Sequence, residues 1–132
     1  MDIRVYTLDE LESHIQRTYS NPEEMIPLSP LRLNSYLRNP RAEKTDPVLF
    51  ELWLNERPVA YRTVLPDLLF DLEGNSSRFA WLSGNWVDPE FRRKGLSTKL
   101  LQRAEALWDG RLFYTNYAPA SKAEARPSST FA

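Results

Sequence analysis

Three consecutive cations followed by a glycine are the residues of this chain best suited to bind an anion. The run is Arg92-Arg93-Lys94-Gly95, and an amphipathic helix is predicted to begin directly after it. The first N–H groups of a helix have no partner inside the helix, and the helix dipole adds roughly half a positive charge there. Gly95 lacks a Cβ, so a ligand can come close to the backbone. This corner therefore predicts a phosphate site.

A strand must lead into the corner and a helix must leave it. Residues 78–87 predict a long strand that Pro89 ends, and Gly84 within that strand predicts a bulge. Such a bulge would leave backbone groups of Trp86 and Val87 free to bond an extended ligand. The helix after the corner is predicted from an apolar stripe that ends before Gly110. The stripe consists of Leu96, Leu100, Leu101, Ala104, Leu107 and Trp108, all of which are predicted to lie in the core.

The pattern Val87-x-Pro89-x-x-Arg92-x-x-Gly95-x-Ser97, between a strand and a helix, resembles the acyl-coenzyme A (CoA) motif of the GCN5-related N-acetyltransferases (GNATs). Ser97 stands where that family has a glycine, an alanine or a similar small residue. The resemblance implies that the corner amides hold the pyrophosphate of acetyl-CoA and that the strand edge holds its pantetheine arm. The cofactor-binding residues implied in this way are Trp86, Val87, Arg92, Arg93, Lys94, Gly95, Leu96, Ser97 and Asn116.

The remaining patterns fit an α/β fold. Strands are predicted at 3–7, 48–54, 58–65, 78–87 and 111–117, helices at 8–18, 30–38 and 95–109, and a loop at 67–77. The resemblance implies a GNAT-like mixed, mostly antiparallel sheet with a central parallel strand pair and helices on both faces. The family's closing C-terminal strands are apparently missing. We therefore predict one acyl-CoA N-acyltransferase-like domain over 1–123 and a short tail over 124–132.

The general base is left open by the sequence. Glu51 lies within an apolar strand, where burial would make its carboxylate a stronger proton acceptor and suit it to act as a general base toward an incoming ammonium group. It could equally point to solvent or pair with Arg62. An acid at 67–71, such as Asp67 or Asp71, or a water molecule are the other candidates. His14 is predicted to be a surface or rim residue of the first helix, because no carboxylate or nucleophile is spaced to partner it.

Composition excludes several classes of function. The 132 residues carry a net charge of −1 and a sequence pI near 5.9, so we expect no nucleic-acid partner and no attraction to an anionic membrane. There is no cysteine to act as a nucleophile, and a single histidine offers no histidine-based metal site. No apolar run approaches the ~20 residues of a membrane span, and we expect a cytoplasmic protein.

The function that the resemblance implies is acetyl transfer from acetyl-CoA to a primary amine of a small molecule or peptide. It also implies that residues 25–38 contribute to recognition of the acceptor, although they could simply be a packing helix. The alternative is a truncated, non-catalytic module that binds CoA or a protein partner without turnover. The strand at 111–117 would be an open sheet edge, so a homodimer through that edge is predicted.

Overall fold

The computed structural model describes residues 1–21 and 25–114. Five strands form one sheet in the order β1-β2-β3-β4-β5. The elements are β1 (Asp2–Thr7), α1 (Leu8–Tyr19), α2 (Pro30–Leu37), β2 (Pro47–Leu54), β3 (Arg57–Phe70), β4 (Ser76–Val87), a 3-10 helix (Pro89–Phe91), α3 (Leu96–Leu107) and β5 (Leu112–Tyr114). Neighbouring strands are antiparallel except β4 and β5, which are parallel. This confirms the predicted mixed sheet, with the parallel pair at the β5 end of its described part.

The helices begin where side chains can bond their free N-terminal amides. Before α1, the Thr7 N–H donates to Glu10 Oε1 at 2.9 Å, which forms half of a capping box. Before α2, Ser29 Oγ accepts from the Arg32 N–H at 3.3 Å, and Pro30 occupies the first helical position. These signals are local, and both helices begin where the sequence predicts.

β3 and β4 form a longer hairpin than expected, so the predicted loop at 67–77 is wrong at both ends. Only residues 71–75 form the turn, because β3 continues to Phe70 and β4 begins at Ser76. Pro66 lies within β3. It is tolerated there because the pairing of β2 with β3 ends at Leu49↔Thr63, so no described strand needs its missing N–H on that side.

The two faces of the sheet bury different clusters. One cluster joins α1 and α2 to the sheet, with Leu11 and Ile15 of α1 and Leu33 of α2 fully or almost fully buried. The other joins α3 to the opposite face through Leu96, Leu100, Ala104 and Trp108. Leu107, predicted to be core, is instead half exposed. Helices on both faces are thus confirmed, and the central strands are covered on both sides.

The acids of the hairpin maintain its structure and do not face the corner. Asp67 accepts hydrogen bonds from Arg41 Nη1 at 2.6 Å and from Trp81 Nε1 at 2.7 Å. Burial alone would raise the pKa of Asp67, but these bonds lower it overall. Asp71 accepts the N–H groups of Glu73 and Asn75, which lowers its pKa. Both carboxylates are therefore already committed within the chain.

The last strand and the residues after it are where the sequence predicts an open sheet edge and a tail. β5 is the outermost strand of the described sheet, and the homodimer through this edge stays a prediction. Asn116, the end of the strand predicted at 111–117, and the predicted tail at 124–132 lie outside the described residues. Among the described helices, none combines the length and apolar character that crossing a membrane requires.

Candidate active site

The corner after β4 folds back onto the end of that strand. Asp88 caps the 3-10 helix by accepting the Glu90 N–H at 3.0 Å, and it also binds Arg57 Nη1 at 3.1 Å. Arg92 then turns its side chain inward, and its Nε donates to the Val87 carbonyl at 3.0 Å. One of the two backbone positions expected to meet a ligand is therefore already bonded through its carbonyl. The corner is consequently fixed against β4.

The backbone of the corner presents unpaired N–H groups. Arg93 and Gly95 both have positive φ angles, 65° and 74°, which turn the chain sharply before α3. Within the described residues, no protein acceptor bonds the N–H groups of residues 93–97. A Cβ added at Gly95 would meet nothing within 4 Å. These exposed amides, at the positive end of a three-turn helix, form the concave donor array that an anion requires.

A buried cation lies directly below the start of α3. Arg62 on β3 is only 8% exposed, and its Nη2 donates to Ser97 Oγ at 2.8 Å. Ser97 in turn donates to Asn85 Oδ1 at 3.0 Å. Arg62 Nε is buried without a hydrogen bond, and no described carboxylate forms an ion pair with this guanidinium. Burial lowers the Arg62 pKa, opposed by Tyr114 and Glu105.

Beside the corner, one edge of β4 has no neighbouring strand among residues 1–21 and 25–114. Its parallel pairing with β5 covers only residues 80–82, and the last pair is Leu82↔Tyr114. From Ser83 to Val87, no described strand lies on that side, while β3 continues to pair on the other. The ladder between β3 and β4 also shifts between Thr63↔Gly84 and Val64↔Leu82. The extra residue, Ser83, creates the predicted bulge, which opens the sheet next to Trp86 and Val87.

Polar side chains of α2 reach the bulge from the other face of the sheet. The Tyr36 hydroxyl bonds Ser83 Oγ, which also lies 3.1 Å from Thr63 Oγ1. Arg32 Nη2 donates to the Ser83 carbonyl at 3.4 Å. Tyr61 stacks on Trp86 with ring centroids 6.0 Å apart. A guanidinium and several hydroxyl groups thus surround the point where β4 opens.

Glu51 is buried at 1% exposure, but it is not free to act as a base. Its Oε2 bonds His14 Nε2 at 2.9 Å, and its Oε1 accepts from Trp53 Nε1 at 2.9 Å. Arg17 Nη2 lies 3.4 Å from His14 Nδ1. Arginine can only donate, so this contact places the imidazole proton on Nε2, toward Glu51. The pair joins α1 to β2.

Two sequence predictions about this pair are wrong. His14 is 7% exposed, so it is not a surface or rim residue, and Glu51 is the carboxylate partner that the sequence did not reveal. The alternative pairing of Glu51 with Arg62 is also wrong. Glu51 lies opposite Tyr61 in the ladder, so the side chain of Arg62 points to the other face of the sheet.

A family comparison agrees with this geometry. The model of the acetyltransferase (GNAT) family matches residues 8–117, which is most of the chain. The chain belongs to the GNAT family. The resemblance drawn from the corner motif is thereby confirmed, as are the GNAT-like fold and the assignment to the acyltransferases. No curated protein sequence matches the chain significantly.

Solved GNAT structures share the fold. An acetyltransferase from Vibrio fischeri has 17% identity and a TM-score of 0.52, covering 86% of this chain and 94% of that one. The 6'-N-acetyltransferase AAC(6')-IG from Acinetobacter haemolyticus has 13% identity and a TM-score of 0.57, covering 98% and 92%. Aminoglycoside N-acetyltransferase AAC(6')-Iy, in complex with CoA, has 16% identity and a TM-score of 0.56, covering 93% and 80%. At these identities the likeness concerns the fold alone.

In this GNAT fold, most of the predicted cofactor residues come together. Trp86 and Val87 lie at the end of β4, and residues 92–97 form the corner directly beyond it. Sequence reasoning missed Ser83, named Arg62 only as a possible partner of Glu51, and included Arg32 and Tyr36 only within the stretch 25–38. The Gly84 signal marked the bulge but not the α2 side chains above it, because their contacts cross about 50 residues of chain.

Proposed function

We propose that this protein is an N-acetyltransferase that moves the acetyl group of acetyl-CoA to a primary amine. The observation that carries the proposal is the set of N–H groups at 93–97 that have no acceptor among the described residues, with open space at Gly95 and an edge of β4 that no described strand covers. Amides that were already bonded within the protein could not hold a diphosphate. Family membership supports acyl transfer as the reaction class.

The corner residues would bind and the strand edge would orient the cofactor. The N–H groups of residues 93–97 would hold the pyrophosphate, with the exposed Arg93 and Lys94 adding positive charge. The edge of β4 at Trp86 and Val87 would align the pantetheine arm. Acetyl-CoA supplies the acetyl group as an activated thioester. Holding acceptor and thioester together can supply several kcal/mol of the rate enhancement through positioning.

None of the three carboxylates predicted as the base is free to act at the edge of β4. Glu51 is bonded to His14 and Trp53, and Asp67 and Asp71 are committed within the hairpin. We infer that solvent removes the proton from the acceptor ammonium. The hydroxyl chain of Tyr36 and Ser83 at the bulge could conduct that proton away from the amine.

Thiol release measures turnover directly. Purified protein is mixed with acetyl-CoA and a panel of primary amines, and free CoA thiol and acetylated product are quantified together. Thiol release that depends on the amine supports the proposal. Tight CoA binding without transfer to any amine would instead identify a binding module, and the absence of CoA binding would contradict both.

Replacing Arg62 tests whether its buried positive charge strengthens CoA binding at the corner. We expect Arg62→Met to weaken CoA binding about tenfold, because a cation roughly 7 Å from a diphosphate contributes on the order of 1–2 kcal/mol. The free energy of unfolding without ligand should not fall, since the substitution removes an unpaired buried charge. Calorimetric titration and denaturant melts measure the two quantities.

Pantetheine, which lacks the pyrophosphate, is the matched ligand for the Arg62 experiment. Pantetheine should bind more weakly than CoA, and its affinity should be the same for Arg62→Met as for the original protein. An equal loss of affinity for CoA and pantetheine would show that Arg62 only supports the structure, and it would contradict the electrostatic role.

A further inference from the structure

Arg32 is placed over the bulge of β4 by α2. Its Nη2 lies 3.4 Å from the Ser83 carbonyl oxygen, the only hydrogen-bond acceptor for its side chain among the described residues. At this length the bond is weak. The guanidinium carries five N–H donors, so most of them have no protein acceptor. The side chain is half-buried, which raises the value of any charged partner it meets.

The close approach of Arg32 to the strand depends on Gly84. A Cβ at this position would lie 2.5 Å from Thr63 Oγ1 and 3.3 Å from Arg32 Nη2. Any other residue would displace one of these groups. Glycine at position 84 therefore leaves the space that the Arg32 guanidinium occupies against the bulge of β4.

The surroundings of Arg32 contain hydroxyl groups and no described carboxylate partner. No ion pair includes it. Tyr36 of α2 and Tyr61 of β3 are its titratable neighbours, and burial raises the Tyr61 pKa while the Arg32 charge opposes that rise. Glu51, one strand further along the same row, is held by His14 and Trp53. A cation that has no acidic partner among the residues the structure describes thus faces the bulge of β4.

We propose that Arg32 binds a carboxylate of the acceptor, so that the acceptors are amino acids or similar small amino-carboxylates. This inference rests on the proposed acetyl transfer and names its substrate class. Ser83 and Gly84 precede Trp86 by two to three residues, or about 7–10 Å of strand. An amino acid anchored at Arg32 by its carboxylate can therefore direct its amine toward the end of β4.

The same charge disfavours polycationic acceptors. Several solved structures with this fold are aminoglycoside acetyltransferases by name, and an aminoglycoside carries several ammonium groups. Such a substrate would need carboxylates near its amines, whereas the described acceptor side presents Arg32. The fold that this chain shares with aminoglycoside acetyltransferases therefore does not imply that it acetylates the same acceptors.

Matched acceptor pairs test the inference. Each of a set of amino acids is compared with its own carboxamide, and spermidine and kanamycin serve as polycations. We expect kcat/KM to be at least about 30-fold higher for the free acids, in line with loss of a charge-assisted hydrogen bond. Arg32→Gln should remove this preference, lowering kcat/KM for the acids while changing that for the carboxamides less than threefold. Arg103→Gln, at an exposed arginine of α3 outside the residues assigned to the cofactor and the acceptor, should change neither.

Each outcome separates the inference from the proposed function. Acetylation of carboxamides or polycations as efficiently as amino acids would overturn the inference and leave the acetyltransferase intact. A loss in Arg32→Gln that is equal for acids and carboxamides would also overturn it, because Arg32 would then act on the transfer itself or on folding. If no amine is acetylated, calorimetry with amino acids and carboxamides on the CoA-saturated protein still decides whether the carboxylate is recognised.

Discussion

Gly95→Asp should lower the affinity for CoA about 100-fold relative to Gly95→Asn. Asparagine and aspartate have nearly the same shape and both tolerate a positive φ better than other residues do. The two variants therefore differ only in a carboxylate that would point into the open space beside the corner amides. At roughly 5 Å a negative charge opposes each ligand charge by about 0.8 kcal/mol in water and by about 3 kcal/mol at a dielectric constant of about 20; at this exposed corner we expect a total of about 2.7 kcal/mol, which is about 100-fold. Calorimetric titration with CoA measures the difference.

The asparagine variant controls for backbone strain at Gly95. Its affinity for CoA should stay within about tenfold of the original, because leaving glycine at a positive φ costs on the order of 1 kcal/mol. If the Asp and Asn variants bind CoA equally well, the pyrophosphate does not lie at this corner. The proposed cofactor site would then be wrong, whatever the family of the chain.

Glu51→Leu should lower the free energy of unfolding by about 3 kcal/mol. The substitution leaves the buried His14 Nε2–H and the partly buried Trp53 Nε1–H without an acceptor; an unpaired buried donor costs about 1–3 kcal/mol, and the partly buried one costs less. Unfolding in urea, followed by circular dichroism, measures the change. Thermal melting should fall by roughly 10 °C in parallel.

Glu12→Leu makes the same substitution at an exposed position of α1. It should change the free energy of unfolding by less than about 0.5 kcal/mol. If Glu51→Leu were as stable as Glu12→Leu, the His14–Glu51 bond would not hold α1 to the sheet. Glu51→Gln keeps one carbonyl acceptor, so it should fold and retain acetyl transfer, whereas a fully inactive yet folded Glu51→Gln would restore Glu51 as a candidate base.

Features decided by neighbours in the sequence could be predicted well. The capping box at Thr7, the Ser29-Pro30 helix start and the tight corner at Gly95 each depend on a few adjacent residues, and the structure has all of them. The strand-to-helix motif also indicated the family to which the chain belongs. The α/β fold and its parallel strand pair followed from these elements.

Features decided by contacts between distant residues could not be predicted in the same way. Nothing near His14 indicates Glu51, which lies 37 residues further along the chain. The strand predicted at 58–65 is too short, because Pro66 occupies a position of β3 without a described β2 neighbour, which tolerates proline and which only the ladder reveals. Arg62 and Arg32 look alike in sequence, yet the pleat sends Arg62 toward α3 while the helix carries Arg32 over the bulge.

The two separate apolar clusters have a consequence for how such a protein can diversify. α3, which follows the proposed cofactor corner, packs on one face of the sheet, whereas α2, which carries the proposed acceptor contact, packs on the other. Changes in distant, non-contacting groups usually have additive energetic effects. Substitutions on α2 can therefore change the proposed acceptor preference without changing the affinity for the nucleotide carrier.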